Sequence, residues 1–127
     1  MVNIDLKDAG GLPLAYLGDA VWELAVREYF VEKGYKINAL NKRVKKLVNA
    51  KAQSVIFKSI LEDLDEEYKA VARRAKNSNI KSFPRSCTIM EYREATAFEA
   101  LVAAFYINGE TGIIRKILEN HISEGEE

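Results

Sequence analysis

The stretch Leu14–Phe30, LAYLGDAVWELAVREYF, constrains the chain most. Its apolar residues Leu14, Leu17, Val21, Leu24, Ala25 and Phe30 recur close to the spacing of one helical face. Pro13 falls where a first helical residue tolerates a missing N–H, and Gly34 falls where a C-terminal cap belongs. A core helix is predicted. Within it Gly18 and Asp19 stand side by side. Gly costs about 1 kcal/mol in a helix interior relative to Ala. A carboxylate near a core face is costly unless it is paired or binds a cation. Local stability disfavours the pair, so its reason lies elsewhere.

The remaining pattern is helical too. Residues 1–12 read as a short arm. Asn38 is a candidate N-cap for a helix to Val48, with Leu40, Val44, Leu47 and Val48 inside and Lys42, Arg43, Lys45 and Lys46 outside. Asn49 caps a fresh start, with Ala52, Val55, Ile56 and Ile60 on its inner face. Asp65 caps a helix to Lys76, and Glu66 and Glu67 suit its first turn. Asn77–Cys87 has loop composition and is long for a connection, a length that often marks function. Thr88 and Glu91 have the spacing of a capping box for a helix to Ile107. Ala95, Phe98, Leu101, Val102, Phe105 and Tyr106 make that helix central and buried. Thr111 is read as the cap of a last helix to Ile122, and residues 123–127 as a fraying tail. Without any sustained β alternation, the expectation is an all-α fold in a single domain, 1–127.

The 127 residues suffice to bury a core without staples. No apolar run approaches the roughly 18 residues of a membrane helix, and the N-terminal residues lack the pattern of a signal peptide. These features predict a cytoplasmic protein with no membrane association. The lone Cys87 excludes an internal disulfide and a thiolate metal cluster. The lone His121 argues against a histidine triad. Net charge is zero, yet charge is segregated. Lys33–Lys58 holds eight basic residues and no acid, Arg73–Arg85 five and no acid, and acids gather at Glu62–Glu67 and Glu124–Glu127. Such a chain can present a basic face to a polyanion; the alternative is two solvated helix faces.

Asp19 and Glu99 share an oddity, each being an acid flanked by small or apolar residues in a core helix. Packed together, the two carboxylates would repel and raise their own pKa values. A hard divalent cation relieves that repulsion, and Mg²⁺ takes one or two carboxylates together with phosphate oxygens. Small neighbours (Gly18, Ala20, Ala100) would admit a phosphodiester. The competing account pairs each acid with Lys or Arg, or leaves it at a solvated edge. Glu23, Glu28 and Glu94 are assigned to solvated or salt-bridged faces.

These residues match a known family. Leu14–Glu23, LAYLGDAVWE, resembles the signature of ribonuclease III catalytic domains, and Thr96–Tyr106, TAFEALVAAFY, resembles their second signature. With Ala15, Lys51-Ala-Gln, the run Arg73, Arg74, Lys76, Asn77 and no appended double-stranded RNA-binding domain, the chain is similar to the Mini-ribonuclease III branch. The resemblance implies that Asp19 and Glu99 are the catalytic acids and hold Mg²⁺, for which Mn²⁺ can substitute. It implies an all-α homodimer that cleaves double-stranded RNA, leaving 5′-phosphate and 3′-hydroxyl ends. It further implies maturation of the stalk at the ends of large-subunit (23S) ribosomal RNA, alongside a ribosomal protein. Candidate RNA contacts are Arg73, Arg74, Lys76, Asn77, Lys81 and Arg85, with Lys42–Lys46 a secondary cluster. Ala15 and Thr96 stand where longer relatives carry acids, and Asn41 stands in a segment where the family has a motif ending in His. The alternatives are a non-catalytic RNA-binding or ribosome-associated module on the same fold, and a helical interaction protein with structural acids.

Overall fold

The computed structural model describes residues 2–122, so the expected fraying of 123–127 lies outside the described residues. Six α-helices follow in order: α1 (Gly11–Glu32), α2 (Ile37–Lys45), α3 (Ala50–Ile60), α4 (Glu66–Lys76), α5 (Ile89–Ile107) and α6 (Thr111–Asn120), with a 3-10 turn at Leu61–Asp63. No strand occurs among the described residues. The fold is all-α, as the periodicity predicts. None of these helices is long and apolar enough to cross a membrane.

α5 is the hub. Ala97, Phe98, Ala100, Leu101, Val102, Ala103 and Ala104 are fully buried, and α1, α3, α4 and α6 all pack against it. Its start is fixed by the predicted capping box: Thr88 Oγ1 accepts from Glu91 N–H, and the Glu91 carboxylate accepts from Thr88 N–H. Asn49 caps α3 by accepting from Ala52 N–H at 2.9 Å. Gly34 adopts φ +84° just past α1, where a side chain would be strained.

Other helix ends differ from expectation. α1 begins at Gly11, so Pro13 is its third residue and still within the turn whose N–H groups lack helical partners. Asn38 lies inside α2, whose N-cap position is Lys36, and Thr111 is the first residue of α6 after Glu110. Neither cap position makes a side-chain bond, so composition there carried no real signal. The buried face of α1 is also rotated from the predicted one. Leu14, Ala15, Gly18, Trp22, Val26, Tyr29 and Phe30 face the core, while Leu24 is exposed. On α3 the inner face is Gln53, Ser54, Ile56 and Phe57, with Val55 exposed.

Two anchors hold the periphery. Trp22 Nε1–H donates to the Leu47 carbonyl at 2.8 Å and its ring meets Phe98 edge-on, fixing the end of α2 to α1 and α5. The N-terminal arm buries Leu6, and the Arg74 guanidinium donates to the carbonyls of Leu6 and Ala9.

A candidate acidic active site where three helices meet

At Gly18 the backbones of α1 and α5 come into direct contact. A Cβ there would sit 1.6 Å from the Glu99 carbonyl oxygen and 3.2 Å from the Ala103 nitrogen, so only glycine fits. This accounts for a residue that helix propensity disfavours. Gly18 lets the two backbones close up, and the next residue, Asp19, then brings its carboxylate to Glu99 on α5, with which it shares a hydrogen bond. Gly18 and Ala100 are therefore absorbed in packing, and of the expected small neighbours Ala20 alone is open to solvent.

Asp19 is exposed and Glu99 half-buried, so the pair forms a shallow acidic site at the protein surface. Burial pushes the Glu99 carboxyl up to about 9; the hydrogen bond and negative charge of Asp19 add to that rise, while Gln53 opposes it. Glu99 thus keeps a proton at neutral pH, which lets it lie hydrogen-bonded against Asp19. A pair of this kind suits a hard cation with oxygen ligands, which can replace the proton. No cluster of three or more acids, His or Cys that could hold a metal occurs among the described residues. Ala15 is buried, and Thr96 turns its hydroxyl to the Tyr92 carbonyl at 2.9 Å, so neither position adds a ligand.

α3 lines the buried side of the site, which the periodicity did not reveal. Gln53 and Ser54 are 2% and 1% exposed. Ser54 donates to Glu94 at 2.7 Å, and Glu94 is itself buried. The expectation of a solvated Glu94 is therefore corrected: α5 is surrounded, and its partner from α3 lies 40 residues away in sequence, beyond any local pattern. Glu23 behaves as expected, in an ion pair with Arg27.

The candidate RNA contacts lie at the C-terminal end of α4 and in the segment after it. Arg73, Asn77, Lys81 and Arg85 are exposed and Lys76 half-buried. Arg74 is also exposed, but its guanidinium is engaged with the N-terminal arm. Gly11 packs against Ala75, and Arg93 donates to the carbonyls of Lys76 and Ser78 at 2.9 and 3.0 Å. This basic end is thereby tied to both acid-bearing helices. Gly11 precedes Asp19 by eight residues, about 12 Å along α1, and Arg93 precedes Glu99 by six, about 9 Å along α5. In the secondary cluster, Arg43 stacks on Tyr35 at 4.2 Å, while Lys42, Lys45 and Lys46 are exposed.

A family model, the Ribonuclease III domain, matches residues 12–110. The chain is 92% identical to a Mini-ribonuclease 3-like protein of Ilyobacter polytropus, over 99% of both chains. It is 57% identical to a Mini-ribonuclease 3-like protein of Fusobacterium nucleatum, over 96% of this chain and 94% of that one. A Mini-ribonuclease 3 of Thermoanaerobacter is 39% identical, over 91% and 82%. The crystal structure of a Fusobacterium nucleatum protein, 55% identical, superposes with a TM-score of 0.84 over 92% of this chain and 94% of that one.

Proposed function

Because the chain belongs to the ribonuclease III family, in its Mini-ribonuclease 3 branch, we propose that it hydrolyses double-stranded RNA at the Asp19–Glu99 pair. The observation that carries the reading is the glycine-enforced helix crossing that presses two carboxylates together at the surface. Two acids pressed together, with Glu99 kept protonated, form an expensive arrangement for stability alone. They make a ready ligand pair for Mg²⁺, with Mn²⁺ as a substitute. A cation held there supplies activation of a water nucleophile and stabilisation of charge on the phosphodiester.

The chain's own residues do the rest. Glu99 gives up its proton when the pair takes the cation, so loading is favoured as pH rises. Arg73, Lys76, Lys81 and Arg85 neutralise phosphates of the duplex and Asn77 hydrogen-bonds to them, since A-form RNA is read largely by backbone and shape. A second copy of the chain covers the apolar stripe Leu17, Val21 and Leu24 on α1 with Tyr106 on α5, which one copy leaves partly open. The resulting homodimer sets one acidic site against each strand. The finer assignments rest on family resemblance: 5′-phosphate and 3′-hydroxyl ends, the stalk of the 23S ribosomal RNA precursor as substrate, a large-subunit ribosomal protein as partner, and a cytoplasmic location.

The test is cleavage of a labelled RNA duplex by the purified protein with Mg²⁺ and with chelator, beside Asp19→Asn and Glu99→Gln. Metal-dependent cutting that both substitutions abolish, in folded protein, is expected. Binding of the duplex without cutting, across several metals, would make the chain a ribosome-associated module instead.

A further inference from the structure

Gln53 has no part in the function proposed above, and its amide is out of place. The side chain is 2% exposed, and its Nε2, shielded from water, closes no hydrogen bond of full geometry, although it lies near enough to the Glu99 carboxyl to lower its pKa. Native interiors rarely leave such a donor unmet, and the exceptions call for a reason. Methionine of similar length would fill the same space with no orphaned group. Shape therefore does not explain a glutamine here.

The orphan has a definite direction. It comes from the inner face of α3, beside Ser54, and it faces Glu99 on α5. Ser54 already satisfies the other buried-side acid of α5, Glu94, at 2.7 Å. Glu99 is engaged chiefly with Asp19, and the Gln53 amide approaches its carboxyl from the buried side. The unmet atom is a donor nitrogen, which does not ligate Mg²⁺ but does bind a carboxylate oxygen.

We propose that Gln53 is a positioning residue for Glu99: when Asp19 and Glu99 together hold a divalent cation, the Gln53 amide donates to one Glu99 oxygen and so directs the other at the cation. The proposal rests on the reading of Asp19 and Glu99 as metal ligands. Outer partners of this kind orient a ligating carboxylate, and their removal typically costs about 10–100-fold in metal affinity. In the cation-free chain the amide only approaches the Glu99 carboxyl, and loading aligns that approach into a full hydrogen bond.

Two measurements test it. Mn²⁺ binding is followed by electron paramagnetic resonance of the free ion, for the unsubstituted chain, Gln53→Met, Asp19→Asn and Glu99→Gln. Gln53→Met is expected to keep or raise the metal-free Tm, because an unmet donor is gone, and yet to weaken Mn²⁺ binding about 10–100-fold. A lowered metal-free Tm with unchanged Mn²⁺ affinity would make Gln53 a packing residue and overturn the proposal. If Asp19→Asn and Glu99→Gln leave Mn²⁺ binding intact, the metal-site reading fails and this proposal fails with it. If they abolish binding and Gln53→Met does not weaken it, only the Gln53 assignment fails. The second measurement needs no substitution at Gln53: the side-chain amide resonances of Gln53 are followed during a Mg²⁺ titration of the unsubstituted chain. A shift that saturates with the cation is expected, and no shift overturns the proposal.

Discussion

Ser54–Glu94 and Gln53–Glu99 are built from the same two helices, with neighbouring residues on α3 and acids five positions apart on α5. The first pair is closed: both side chains are buried and joined at 2.7 Å. The second is open: Gln53 is buried with no full hydrogen bond from its nitrogen, while Glu99 reaches the surface and leans on Asp19. Burial of polar groups is costly unless their hydrogen bonds are made. In the first pair the protein meets that cost internally, so the pair serves folding. In the second the cost is left standing, at a place where α1 was brought near enough only by a glycine. Polar groups that fold a protein and polar groups that await a ligand are thus told apart by whether their partners are already inside.

The largest expected effect breaks the two pairs apart directly. Asp19→Asn and Glu99→Gln lower duplex cleavage by about 1,000-fold or more, the loss of several kcal/mol of charge stabilisation. Glu94→Gln, on the same helix, leaves cleavage near that of the unsubstituted chain. Single-turnover cleavage of one duplex by the three variants decides it. An equal loss at Glu94 would erase the distinction between the closed and the open pair.

Next is the pH dependence of metal-free stability. Glu99 is raised to about 9, mainly by burial, from an ordinary carboxylate value of 4.5. The folded chain therefore holds a proton that the unfolded chain has released. The stabilisation is fully present below pH 4.5 and is lost progressively as pH rises towards 9. In chelator, the denaturant midpoint is expected to fall across that window, and Glu99→Gln, which cannot release the proton, flattens the fall. A midpoint that rises with pH over this range, with Glu99 intact, would contradict the proton held on Glu99.

How much of this was legible beforehand follows from the range of the interactions. The helices came from local periodicity and from caps that work locally, as at Asn49 and Thr88–Glu91. Asp19 and Glu99 stood out because each offends a local rule in a helix that otherwise obeys it. Gly18 was visible as an anomaly, but the cause is the α5 backbone, 81 positions away, which no periodicity reports. The inward placement of Gln53, Ser54 and Glu94 was missed for the same reason. A polar residue on a helix reads as solvated until a neighbouring helix is known to cover it. The rotation of the α1 face, with Leu24 outward, reflects an apolar stripe wider than the part of it the core covers.

Ser54→Ala sharpens the comparison on the folding side. It leaves the buried Glu94 oxygen without its donor, a loss of about 1–3 kcal/mol. Chemical denaturation reads that loss, and cleavage corrected for folded protein is expected to stay unchanged. A cleavage defect in fully folded Ser54→Ala would mean that the closed pair communicates with the site.

The smallest effects come from a second closed and open pair, the adjacent cations Arg73 and Arg74. Arg74 spends its guanidinium on the carbonyls of Leu6 and Ala9, while Arg73 points to solvent beside the connection to α5. Arg74→Gln is therefore expected to loosen the arm, costing about 1 kcal/mol of stability with little change in the salt dependence of duplex binding. Arg73→Gln should do the reverse: stability within about 0.5 kcal/mol, as for an ordinary surface change, and a salt slope for duplex binding smaller by about 1. Binding isotherms at three salt concentrations, with denaturation of each variant, read both quantities. If Arg74→Gln flattens the salt slope as much as Arg73→Gln, then a guanidinium already bonded to backbone still serves the phosphates. The rule drawn from α3 and α5, that an inner partner marks a folding role, would then stop at the protein surface, where an arginine has donors enough for both.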